Sequence, residues 1–192
     1  MAMDTFVWSL LGYVVYPAWL LVGVLDYLAH QRTHIATTSG VPESALHVAQ
    51  AAQIGLPVLI VLFFAIDDLT LMIITACVVL HTATAFADIS YTSRYREIPP
   101  LEQFVHAFLI VLPILALLLV VIAHEHETTN LASAGGALPT TLLWKLHGRQ
   151  PPWDSWVILA VLASALLFSV APAVAELVQT GRALRRKAVV PS

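Results

Sequence analysis

Five long apolar runs, separated by short polar interruptions, set the pattern of this chain. The first is apolar from Phe6 to Leu25 and predicts a helix over about 5–35, ending in Asp26, His30, Gln31, Arg32 and His34. The turn formers Thr37-Thr38-Ser39-Gly40 follow. Pro42 suits a first helical position and Glu43 a first turn, so a second helix is expected over about 43–66. Asp67-Asp68 makes a polar turn, with Asp68 the expected cap of a third helix over about 69–95. Pro99-Pro100 stops that helix and opens a fourth over about 101–123. A polar stretch over 128–151 precedes a fifth helix over about 152–178, and a basic tail covers 182–192. Each run approaches the roughly 20 residues that a helix needs to cross a bilayer.

Composition strengthens this reading. Of 192 residues, 59% are hydrophobic and only 11% charged, against about 25% charged in a soluble domain. The expected fold is therefore all-α: a polytopic membrane protein, one transmembrane domain over 1–192, with the first four helices forming an up-down bundle. Met-Ala-Met-Asp has no basic n-region, so no cleaved signal peptide is expected. Cys77 is the only cysteine, which excludes an intramolecular disulfide. A net charge of −3 without a large basic cluster gives no reason to expect nucleic acid.

Basic residues give an orientation. With five spans, Arg32, Arg94, Arg96, Arg182, Arg185, Arg186 and Lys187 share one face, against Lys145 and Arg149 on the other. The positive-inside rule places the N-terminus outside and the C-terminus in the cytoplasm, in an integral membrane protein of, for example, a bacterial inner membrane. Trp144, Trp153 and Trp156 read as an aromatic belt at the outer face, with a short interfacial helix over 140–148.

The polar residues within the spans carry the chemistry. Asp26 and His30 are four apart, as are Glu43 and His47, and Glu102 and His106, so each pair shares one helical face. His81 and Asp88 are two turns apart on the third helix. With the topology above, all eight residues fall at the cytoplasmic ends of four helices, with His81 as the floor. Acids in hydrocarbon cost several kcal/mol each if unpaired, and no Lys or Arg is expected at that depth. Two divalent cations would balance Asp26, Glu43, Asp88 and Glu102 against four neutral imidazoles. Imidazole and carboxylate without thiolate suit iron, with zinc or manganese as alternatives. His34, Thr84, Tyr27, Tyr91 and Tyr95 flank these positions as additional or supporting groups. His124 and His126, with Glu125 and Glu127, read as a solvated outer cluster.

Over about 20–110 this pattern resembles the di-iron carboxylate four-helix bundles, in which two helices each give a Glu and two each give a Glu-x-x-His. Here the pairs are Glu-x-x-x-His, and helices one and three add their own histidines. The H-x-x-H-H boxes of membrane hydroxylases and desaturases are absent. The resemblance implies oxygen or redox chemistry, hence an oxidoreductase acting on a lipid, a quinone or dioxygen. Three other readings are weighed against it. A zinc-dependent membrane hydrolase needs fewer ligands than the chain offers. A metal transporter or sensor needs a polar path that the apolar outer halves lack. A haem b protein leaves the acids unexplained. A homo-oligomer is compatible with all of them.

Overall fold

The computed structural model describes residues 2–124 and 146–189. The expected Glu125–Glu127 part of the outer cluster, Trp144 and most of the interfacial helix lie outside them. Five helices are long and apolar enough to cross a membrane: α1 Thr5–Arg32, α2 Val41–Phe63, α3 Asp68–Thr92, α4 Pro100–Ala123 and α5 Ser155–Ala188. No strand occurs among the described residues, only an isolated bridge between Phe64 and Gly148.

Local sequence explains where these helices bend and stop. Two π turns, Leu11–Val15 in α1 and Leu166–Val170 in α5, each end two residues before a proline, Pro17 and Pro172. Proline offers no N–H to the preceding turn and its ring crowds the carbonyl four residues back, so a widened turn relieves both. α1 ends earlier than expected because His34 takes the left-handed conformation (φ 54°) just past the helix. α2 begins after Gly40, whose φ of 70° suits a residue without Cβ.

Asp67, not Asp68, caps α3. Its carboxylate accepts from Thr70 N–H at 3.0 Å, while Thr70 Oγ1 accepts from Asp67 N–H at 2.7 Å. Asp68 already lies inside the first turn, where it cannot fold back onto the orphan amides. At the other extreme, helical conformation in α5 continues to Val189 through the expected tail. Its Arg, Leu, Lys and Ala residues are good helix formers, and no proline interrupts them before Pro191.

Burial is inverted relative to a water-soluble domain. Leu159, Phe86, Leu21 and Phe104 are more than 60% exposed, whereas Glu43 and Glu102 are fully buried. α2 packs along α3, α1 and α3 pack on α4, and α5 lies against α1 and α2. Two apolar clusters, one around Ile60, Ile74 and Val120 and one around Val7, Leu112 and Leu119, fill the half that contains the start of α1. The buried charged groups occupy the other half. At the apolar end, the Arg149 guanidinium stacks 4.2 Å from Trp153 and 5.1 Å from Trp8, and its partial burial lowers its pKa.

Candidate metal centre

Helical spacing delivers the donors to one place. Asp26 and His30 lie in the last turns of α1, Glu43 and His47 in the first turns of α2, Glu102 and His106 in the first turns of α4, and Asp88 near the end of α3. Antiparallel neighbours with short connections bring these ends together. Apart from half-buried His47, all these side chains are buried.

The centre is built around His30 Nε2. It lies 3.5 Å from Asp26 Oδ1, 3.5 Å from Glu102 Oε1 and 3.9 Å from Glu43 Oε1. His106 Nε2 approaches Asp26 Oδ1 at 3.1 Å. Donors about 2.0–2.2 Å from a shared ion must lie within roughly 4.4 Å of one another, so these spacings suit a common cation. Asp26 Oδ1, His30 Nε2 and His106 Nε2 are all buried, and none makes a well-aligned hydrogen bond despite their close approach to one another. Orphaned buried donors and acceptors are costly unless something else engages them. Three such atoms converging on one point fit a metal ion.

A second position is outlined beside the first. A small, partly open space of about 10 Å³ is bordered by Asp26, His47, Asp88 and His106, close to the roughly 10–15 Å³ that one water-sized sphere requires. His47 Nε2 lies 3.0 Å from Asp88 Oδ2, which also accepts from Gln50 Nε2 at 3.3 Å, while Asp88 Oδ1 has no partner. Asp26 and His106 border both positions.

Two side chains that the sequence pattern did not single out complete the centre. Glu176 of α5, 1% exposed, faces both imidazoles: Oε2 is 2.9 Å from His30 Nδ1 and Oε1 is 2.6 Å from His47 Nδ1. The two rings stack at 4.5 Å with an interplanar angle of 4°. A carboxylate only accepts, so both Nδ1 atoms carry the proton, and a ring that is neutral presents Nε2 as a lone pair. Carboxylate–imidazole–metal arrangements use this device to fix ligand tautomer and orientation. His47 also faces Asp88 through Nε2, and a neutral ring with one proton cannot satisfy two carboxylates. Either the ring is charged or a cation lies between Nε2 and Asp88.

The second addition corrects the expectation that no basic side chain reaches this depth. Arg96, from the connection after α3, folds back and is 5% exposed. Its guanidinium donates to Glu43 Oε1 at 2.7 Å, to Glu102 Oε2 at 3.0 Å and, more closely still, to Glu102 Oε1. Burial alone would lower its pKa, but the hydrogen bonds and charges of Glu102 and Glu43 outweigh it and hold the group above its ordinary value. The long side chain lets a residue beyond the helix end reach into the cluster.

The remaining candidates lie around or away from the centre. His81 is buried and its Nε2 donates to the Leu109 carbonyl at 3.2 Å, so that nitrogen is already engaged. His34 is exposed in the turn after α1. Thr84 Oγ1 donates to Leu80 O at 2.8 Å and accepts from Gln53. Tyr91 donates to Ser39 O at 3.1 Å and its ring packs on that of Tyr95, which is 57% exposed. Tyr27 is half-buried beside Gln179. No protein-family model matches the chain, and no curated protein or solved structure is significantly similar to it.

Proposed function

We propose that the protein is an integral membrane oxidoreductase built on a buried dinuclear metal centre, with iron as the metal. The observation that carries this reading is the convergence of three buried ligand atoms, Asp26 Oδ1, His30 Nε2 and His106 Nε2, within reach of one cation. Asp26, His30 and His106 would hold one ion, with Glu43 and Glu102 beside His30, and His47 and Asp88 would hold the other. Charge supports two ions. Asp26, Glu43, Asp88, Glu102 and Glu176 carry five negative charges against the single positive charge of Arg96. Two divalent cations balance the remaining four, with all imidazoles neutral. Oxygen and nitrogen donors without thiolate suit iron, manganese or zinc, and a centre this rich in ligands exceeds what a hydrolytic zinc requires.

When bound, the pair of irons supplies one-electron steps and oxygen chemistry. The chain's own groups have separate tasks. Glu176 holds the two stacked imidazoles with Nε2 forward. Arg96 donates to both Glu43 and Glu102 and aligns them. The apolar exterior of α1–α4 suits a bilayer, and under the positive-inside rule the centre would lie in the half nearer the basic, cytoplasmic face.

Elemental analysis with an optical spectrum tests this on purified protein. About two irons per chain with visible absorption, both lost in Asp26→Ala, are expected. One zinc per chain, one haem per chain, or metal retained in full by Asp26→Ala would overturn the reading.

A further inference from the structure

We infer that a hydrocarbon chain dissolved in the bilayer reaches the centre sideways, through a window between α1 and α5, and that its chain end lies beside His30 and His47. The inference rests on the function proposed above and names its substrate class.

The window is defined by what closes the seam above and below it. Towards the apolar end, Tyr16 donates to the Val161 carbonyl at 2.8 Å and lies 2.9 Å from Ser164 Oγ. Towards the other end, Gln31 donates to Gln179 at 3.0 Å, and Gln179 donates to Tyr27 at 3.5 Å. Between these latches the seam runs for eleven residues of α1, roughly 16 Å at helical rise. In that interval lies a partly open cavity of about 80 Å³, whose walls include Trp19, Gly23, Phe168 and Ala173 and whose inner side includes His30 and His47.

Sequence makes the opening. Gly23 has no side chain to fill the seam, and a Cβ built there would already lie 3.8 Å from the Phe168 carbonyl oxygen. The π turn Leu166–Val170 places Phe168 and Ser169 at the wall. The wall residue Phe168 is itself 47% exposed. Its outer part carries no charge in either helix, from Tyr16 to Leu25 and from Ser164 to Ala175, while Asp26 and Glu176 line the cavity's inner end. Access from the Arg96 end is shut, because Glu43 and Glu102, which Arg96 covers, are fully buried.

Volume selects the occupant. An apolar cavity of about 150 Å³ admits benzene, so the 80 Å³ here takes a flexible chain end rather than a quinone ring. Lipid headgroups belong at the interface, whereas the window lies along the middle of the membrane-length helices α1 and α5.

The test uses the full chain in lipid nanodiscs with a palmitate analogue bearing a photoreactive diazirine at its terminal carbon. Labelled peptides are mapped by mass spectrometry and metal per chain is measured in the same samples. Labelling concentrated on Trp19, Phe168 and Ala173, reduced several-fold by Gly23→Leu and by Ala173→Leu with metal content unchanged, is the expected result. The second variant, on the opposite helix, guards against misfolding of the first. Labelling spread evenly over exposed residues such as Leu80 and Leu159, or unchanged in both variants, would overturn the window. Window labelling without bound metal sinks the metal centre and leaves the window standing. Metal bound without window labelling sinks the window alone.

Discussion

Replacing Glu176 by Gln is a direct probe of how the imidazoles are held. Each carboxylate oxygen faces a different ring, Oε2 towards His30 and Oε1 towards His47. A carboxamide keeps the shape but has only one acceptor oxygen. Its nitrogen donates, and the ring facing it must then accept at Nδ1, which moves that ring's proton to Nε2. A protonated Nε2 cannot bind a metal. One of the two histidines is therefore lost as a ligand, although nothing has changed in volume. Loss of such a supporting partner weakens metal affinity by about 10–100-fold, or about 1.4–2.8 kcal/mol. Chelator competition on the purified protein measures this, with metal-free thermal unfolding run in parallel to show that the fold persists. Wild-type metal affinity in Glu176→Gln would refute the tautomer argument.

Two further outcomes follow from the charged groups outside the spans. Arg96→Met removes the only guanidinium on Glu43 and Glu102 among the described residues. Metal-free protein should lose about 3–5 kcal/mol of stability, partly restored by adding Glu43→Gln; unchanged thermal unfolding would count against the pairing. Asp67→Ala should cost about 0.5–2 kcal/mol by removing the α3 cap. Burial raises the Asp67 carboxyl, but hydrogen bonds from Thr70 and the nearby His147 outweigh it, so its pKa sits below the ordinary range. Its contribution is therefore present above about pH 3.9 and fades as pH falls through the lowered folded value. Unfolding of the variant and the parent, compared across acid pH, should converge at the low end.

Much of this architecture was legible in the chain because bilayer-length apolar runs are a coarse, long-range signal. The i,i+4 pairs were legible for the same kind of reason: one helical turn fixes which residues share a face. Glu176 escaped because it has no titratable partner at that spacing; its neighbours four residues away are Pro172 and Thr180. Its only sequence signal was a lone acid in an apolar helix, which is by itself a pointer to a working site. Arg96 escaped because it stands beyond the end of α3, where periodicity says nothing about where a long side chain will turn. The charge argument drawn from sequence thus omitted one acid and one base. These cancel, which is why two cations still balance the cluster.

The Glu176 contact also has a consequence for biosynthesis. His30 and His47 are translated early, but the carboxylate that orients them arrives 129 residues after His47. At about 5–20 residues per second, that delay is roughly 6 to 26 s. During it, the first four helices can assemble with their imidazoles free to rotate and to adopt either tautomer. The final helix then acts as a keystone: its insertion converts a loose cluster of acids and histidines into an ordered one. On the reading proposed above, metal delivered before that moment would meet an unfinished cradle, and stable loading would follow the insertion of α5.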